Sequence, residues 1–174
     1  MEILIIGGAL VALMVYVSTR VKNSAATAYE RETIETEKFF IVKPENFINP
    51  VGEKSEFVFA AYSKDFGTGG AEELRQAQVD LRIYVDKDFD EVCRSAKHAD
   101  DKIVSEETTK SGDEKICILK NKRTENEIEI ETFYKIVETK NGREIYELKI
   151  SVLSDYEDNY SAAVSELLES FRVK

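Results

Sequence analysis

The chain holds 174 residues, 34 acidic and 24 basic, for a formal charge of −10. That length suits one anchor and one domain of about 140 residues, large enough to bury a core without disulfide or metal support, and 43% hydrophobic residues exclude a disordered chain. Without Glu2, Arg20 and Lys22 the remainder carries 33 acidic against 22 basic residues, a balance of −11, which repels phosphate backbones and anionic headgroups; this excludes nucleic acid as a partner and broad docking of the domain on a bilayer.

Residues 3 to 17, ILIIGGALVALMVYV, carry no charge, and polar Ser18 and Thr19 follow before Arg20 and Lys22. As a helix at 1.5 Å per residue this run covers roughly 25 to 29 Å, close to a hydrocarbon core, with Arg20 snorkelling to the interface. The sequence therefore predicts a membrane partner through residues 3–19. An anchor over 1–22 leads into a helical stalk or linker over 23–34, RVKNSAATAYERET in its fuller extent from Arg20 to Thr33, and a soluble domain over 35–174. A cleaved signal peptide is a poorer reading, because only Met1 and Glu2 precede the apolar run where a basic region belongs, and Ser24-Ala25-Ala26 is a weak cleavage site. A pilin-like surface subunit also has an apolar N-terminal helix, but the processing site before it is missing. Arg20, Lys22 and Arg31 follow the helix, so the positive-inside rule places the protein as single-pass with its domain in the cytoplasm.

Beyond the stalk, the pattern predicts strands at 38–43, closed by Pro44 and a turn-rich corner to Pro50, at 56–64, and at 76–85 after the glycine-rich break at Gly67-Thr68-Gly69-Gly70. Asp88-Phe89-Asp90-Glu91 resembles a capping box with an acidic first residue, and Phe89, Val92, Cys93 and Ala96 share the apolar stripe of the helix it opens. Further strands are expected at 102–108, 114–120, 127–139 and 143–153. Ser154-Asp155-Tyr156-Glu157 is a full capping box for a closing helix with Tyr160, Ala163, Val164, Leu167, Leu168 and Phe171 on one stripe. The fold class is α+β, an antiparallel sheet of about six or seven strands flanked by two helices.

The hairpin around Asn141-Gly142 permits a register prediction. A two-residue turn sets Ile136 opposite Glu147 and Tyr134 opposite Lys149, mixing apolar and charged groups on a face. A three-residue loop of Lys140, Asn141 and Gly142 instead pairs Thr139 with Arg143 and sets Ile136 opposite Tyr146, Tyr134 opposite Leu148, Thr132 opposite Ile150 and Ile130 opposite Val152. That arrangement gives one coherent apolar face and is the expected one.

Few residues suggest chemistry. The glycine-rich stretch lacks the lysine of a P-loop and the spacing of a dinucleotide site. His98 is the only histidine and stands beside Asp100 and Asp101 without the further ligands of a zinc site. No G-x-S-x-G elbow offers a serine nucleophile. Cys93 and Cys117, the only cysteines, lack a CxxC context and read as small buried hydrophobes, able to pair if the helix bearing one faces the strand bearing the other. Glu125, Glu127, Glu129 and Glu131 alternate along a predicted strand, giving one acidic face as a candidate interaction surface for a cation or a basic partner. No catalytic residue, metal or cofactor is assigned.

The run Phe39-Phe40-Ile41-Val42-Lys43-Pro44-Glu45-Asn46-Phe47 and the closing Leu167-Leu168-Glu169-Ser170-Phe171 resemble the opening strand with its proline corner and the closing helix of the PsbP-like superfamily. The tryptophan usual after that corner is absent. Over residues 35–174 the resemblance implies an α/β/α sandwich and a non-enzymatic accessory, assembly or protein-binding module. The expected function is thus a membrane-anchored, non-catalytic scaffold that binds another protein. The alternative of a small-molecule or lipid-binding module requires a deep apolar cavity lined by Tyr62, Tyr84 or Tyr134; a carboxylate enzyme requires two close acids with shifted pKa values in a cleft.

Overall fold

The computed structural model describes residues 13–18, 27–50, 56–97, 101–111, 114–139 and 143–174. Residues 13–18 are helical (α1), with Leu13, Met14, Val15, Tyr16 and Val17 all exposed. The rest of the span expected over 3–19 lies outside the described residues, and no helix among those described is long and apolar enough to cross a membrane.

Strands β1 (Glu32–Glu35) and β2 (Phe39–Lys43) come first, then β3 (Phe47–Ile48), β4 (Phe59–Ser63), β5 (Ala77–Val85) and helix α2 (Phe89–Ser95). A long meander follows: β6 (Lys102–Ser111), β7 (Glu114–Glu125), β8 (Ile128–Glu138) and β9 (Glu144–Leu153). A 3₁₀ turn (Ser154–Tyr156), helix α3 (Glu157–Ser170) and β10 (Arg172–Val173) close the chain. Seven strands form one antiparallel sheet in the order β3-β4-β5-β9-β8-β7-β6. The strand expected to open that sheet does not join it, because β2 pairs with β1 and β10 in a separate three-stranded sheet.

Period-2 alternation divides the large sheet into two faces. Val79, Leu81, Tyr146, Leu148, Ile150 and Val152 face β2 and the Val164, Leu167 and Phe171 stripe of α3. Each fully buried aliphatic side chain there contributes about 1.5 to 3 kcal/mol. Cys117, Leu119, Tyr134, Ile136 and Ile145 face the other way, against Phe89, Val92, Cys93 and Ala96 of α2. The helices thus lie on opposite faces of the sheet, as the sequence led one to expect.

The β8–β9 register is the one the sequence argument rejected. Ile136 lies opposite Glu147, Tyr134 opposite Lys149, Thr132 opposite Ser151 and Ile130 opposite Leu153. Residues 140–142 of the connection lie outside the described residues. The rejection assumed one apolar face, whereas both faces need apolar residues here. The charges that the register places on the α3 face are used: Lys135 Nζ donates to the carbonyls of Leu168 and Phe171 at the C-terminal end of α3, at 2.6 and 2.9 Å.

Two caps also differ in outcome. Asp88 accepts from the Glu91 amide at 2.9 Å, as its spacing predicts. Ser154 does not cap α3, whose first turn is reached through the 3₁₀ turn and whose N-cap position is Tyr156. Glu157 turns instead to Lys120, at 2.6 Å. At the N-terminal side, the expected helical spacer gives way at Glu32, where β1 begins, and the buried Lys43 ammonium caps the preceding turn through the Ala28 carbonyl at 2.8 Å.

The β7–β8 connection is a two-residue turn with positive φ at Asn126 (50°) and Glu127 (67°). Asparagine tolerates that region better than glutamate, which adopts it at a cost. Glu127→Gly is expected to stabilise the chain by roughly 0.5 to 1 kcal/mol in denaturant unfolding; a loss of stability counts against this turn geometry.

Candidate functional site

Helix α2 has only seven residues and covers one end of its face of the sheet. The remainder of that face is open. From β5 it presents Gln78, Asp80, Arg82 and Tyr84, and from β9 Glu147, Lys149 and Ser151, with Asp80 directly opposite Lys149 and Arg82 directly opposite Glu147. Opposite charges at such positions attract and fix register. Two hollows meet there, both lined by Asp80 and Lys149. One, of about 400 Å³, adds Arg82, Tyr84, Tyr134 and Glu147. The other, towards the β7–β8 turn, adds Arg75, Arg123, Ile128 and Ile130.

Two of the basic side chains on this face, Arg75 and Arg82, are restrained by aromatic neighbours. The Arg75 guanidinium stacks 3.8 Å from the Phe66 ring centroid and 4.3 Å from that of Tyr62, while Arg75 Nη1 donates to the carbonyls of Ser63 and Lys64. Arg82 lies over Phe57 at 5.0 Å and Tyr84 at 5.9 Å and pairs with Glu56 at 2.7 Å. The Tyr84 hydroxyl donates to Glu147 at 3.3 Å. Phe66 and Leu74 at the rim remain 46% and 40% exposed, so apolar surface borders the stacks.

Burial pushes the Asp80 carboxyl above its usual range, against the opposing pull of the Gln78 amide, at 3.0 Å, and of Lys149 and Arg82. Burial likewise raises the Tyr84 and Tyr134 phenols. The requirement for a small-molecule or lipid site is not met by these hollows: Tyr84 and Tyr134 do line one, but so do two acids and two bases, and Tyr62 is covered by Arg75.

The acidic run does not form the single face expected. Glu125 ends β7, Glu127 sits in the turn, and only Glu129 and Glu131 share a side of β8. Their charge is also largely matched: Glu125 meets Arg123 at 3.1 Å, Glu129 meets Lys122 at 2.7 Å, and the buried Glu131 meets Lys120 at 2.7 Å. The alternation reads straight across Asn126 because nothing in E-N-E-I-E-I-E marks the reversal except that asparagine.

In the glycine-rich loop, Gly69 and Gly70 take positive φ, and the Gly70 amide donates to the Glu72 carboxylate at 3.1 Å. Backbone amides of Glu72, Gly70 and Gly69 hold that carboxyl below its usual range, so the chain's own side chain occupies the anion-binding position. Gly67 is required by packing, since a Cβ there would meet Leu153 Cδ1 at 2.6 Å. His98 lies outside the described residues; Asp101 accepts from the buried Asn121 amide at 2.9 Å.

No protein-family model matches the chain, and no curated protein matches it in sequence. Solved structures match in shape. LpqN of Mycobacterium tuberculosis, described as involved in cell envelope biogenesis, gives a TM-score of 0.59 at 10% identity over 83% of this chain and 91% of its own. Cyanobacterial PsbP (CyanoP) from Synechocystis gives 0.54 at 11% identity, over 83% and 92%. The fold is PsbP-like. The Saccharomyces cerevisiae Ran-binding protein Mog1p shares this PsbP-like architecture, at a TM-score of 0.52 and 12% identity over 83% of this chain and 96% of its own. At such identities the likeness is one of fold.

The open face was missed in the sequence because its members are scattered from Phe57 to Ser151. Gln78, Asp80, Arg82 and Tyr84 did alternate visibly with the apolar face of their strand, the one signal available. In the PsbP-like domain the raised Asp80 pKa means that the folded state binds this proton more tightly than the unfolded chain. Its contribution to stability therefore grows as pH falls through the raised folded value and is complete below the unfolded value, about 3.9. Carboxyl NMR titration is expected to place the Asp80 midpoint above that value, and Gln78→Ala to raise it further; a midpoint at or below that value contradicts the burial cause, and one unmoved by Gln78→Ala contradicts the opposing pull of Gln78.

Proposed function

We propose that this PsbP-like domain is a non-catalytic accessory module that binds another protein on the open face of its sheet, held at a membrane by its N-terminal helix. The observation that carries the reading is the pair of arginine–aromatic stacks on that face, Arg75 on Tyr62 and Phe66 and Arg82 on Phe57 and Tyr84. Arginine and aromatic residues dominate protein-binding energies, and side chains already restrained by stacking lose less entropy when a partner covers them. The alternating charges of Asp80, Arg82, Glu147 and Lys149 fit a partner of complementary pattern better than a lipid tail. The description of Mog1p as Ran-binding is consistent with this use of the fold.

Anchoring is supported by the uncharged run over 3–17 and by the exposure of every apolar side chain from Leu13 to Val17. The basic residues that follow favour a cytoplasmic domain.

A photocrosslinker replacing Gln78, on the open face, is expected to give one discrete protein adduct when the intact chain is expressed in its native cells, and one replacing Ser165, exposed on α3, none. Arg75→Glu with Arg82→Glu is expected to remove the adduct. Equal labelling from both positions, or labelling from Ser165 alone, refutes the docking face. For the anchor, the intact chain is expected to stay with membranes in alkaline carbonate and a chain lacking residues 1–22 to be released; release of the intact chain refutes it.

A further inference from the structure

The large sheet ends in two unequal edges. At one end β3 offers two residues, whereas at the other β6 runs for ten, and residues 102–110 of it are all exposed. Among the described residues no strand pairs with the outer side of β6, so its backbone presents a row of N–H and C=O groups able to extend the sheet. A bulge at Val104, between Ile103 opposite Asn121 and Ser105 opposite Lys120, blunts only the start of this edge. From Ser105 to Ser111 the ladder with β7 is unbroken and holds neither proline nor glycine.

We propose that β6 is a self-association edge: a second copy of this chain adds its own β6 antiparallel, about a two-fold axis at Thr108, and joins two sheets into one. An axis normal to the sheet keeps every side chain on its own face. Opposed residues are therefore identical or an even number of positions apart. Centred on Glu106, the pairing sets that glutamate against its copy and Lys102 against Lys110. Centred on Glu107 or Lys110, it again opposes like charges, and centred on Ser105, Thr109 or Ser111 it opposes no unlike ones. Centred on Thr108, it sets Glu106 opposite Lys110 twice, Glu107 opposite Thr109, and Thr108 opposite its copy. Within the unbroken stretch this is the one centre that pairs opposite charges.

The single chain leaves that pattern unsatisfied. Lys110 stands directly opposite Lys115, whose ammonium pairs with Glu138 at 3.2 Å, and Lys110 has no ion pair among the described residues. Like charges at opposed positions repel, and a carboxylate arriving on the outer side of β6 relieves that repulsion. Glu106 pairs with Lys97 through Oε1 alone, so its second oxygen is available to Lys110 of another copy. Ile118, directly opposite Glu107 and largely exposed, gains cover when a strand is added beyond it.

The test uses the full chain in density-matched detergent micelles, followed by sedimentation equilibrium and by amide hydrogen exchange at several protein concentrations. A monomer–dimer equilibrium is expected, with exchange in residues 105–111 slowing as concentration rises. Glu106→Lys and Lys110→Glu each make both cross-strand pairs repulsive, and each is expected to weaken association roughly ten- to a hundredfold. An equimolar mixture of these two variants is expected to regain it, because the lysines of one chain then oppose the glutamates of the other. The double variant Glu106→Lys with Lys110→Glu is expected to regain it alone. The proposal is overturned by a chain that stays monomeric at every concentration, or by a dimer that both single variants leave intact, which puts the contact elsewhere. Failure of both the mixture and the double variant to associate overturns it too, as does exchange that slows only outside 105–111.

Discussion

Nine consecutive residue pairs, from Ala77 opposite Val152 to Val85 opposite Glu144, join β5 to β9 and bring together the two halves of the large sheet. Every other neighbouring pair in that sheet consists of strands consecutive in the chain, so this pairing alone crosses from the β3–β5 half to the β6–β9 meander. One side of it carries Val79 against Ile150 and Leu81 against Leu148, all fully buried under β2 and α3. The other carries Asp80 against Lys149 and Arg82 against Glu147. The same hydrogen-bonded ladder thus fixes the core and assembles the polar face.

The unequal helices decide how those two sides are used. The fourteen residues of α3 cover their face with help from β2, and the charges that alternation leaves beneath them are consumed internally, Lys135 by the helix C-terminus and Lys120 by Glu131 and Glu157. A buried ammonium is tolerated where carbonyls and carboxylates replace its water. The seven residues of α2 leave most of their face uncovered, and there Arg82, Glu147 and Lys149 stay half-buried beside the buried Asp80. An open polar face is the consequence of a short helix, and it is the surface available to a partner.

The acidity of the chain has a similar explanation in geometry. Glutamates that look like one surface along the sequence are separated by a turn and held by Lys120, Lys122 and Arg123. Arg75, stacked on Tyr62 and Phe66, and Arg82, over Phe57 and Tyr84, lie on other segments than these glutamates. Charge counted over a chain therefore says little about which sign a given face shows, because cross-strand neighbours cancel within a few ångströms while the stacked cations project from a different strand pair.

Much of the local structure was determined by sequence alone. The strand β5, the helix α2 with its Asp88 cap and the stripe of α3 follow from periodicity and capping chemistry, since each depends on residues a few positions apart, while helices on opposite sides of the sheet were implied only by the PsbP-like resemblance. The tertiary structure decided what depends on distant partners. It assigned β2 to a small sheet with β1 and β10, moved β8 and β9 into a register that a single-faced sheet would forbid, left Ser154 uncapping and Glu157 paired to Lys120, and set Cys93 and Cys117 in one buried cluster. The physical reason is that a strand's own alternation specifies two faces but not what covers each; only the placement of α2, α3 and β2 fixes which charges are buried, which are paired and which remain open.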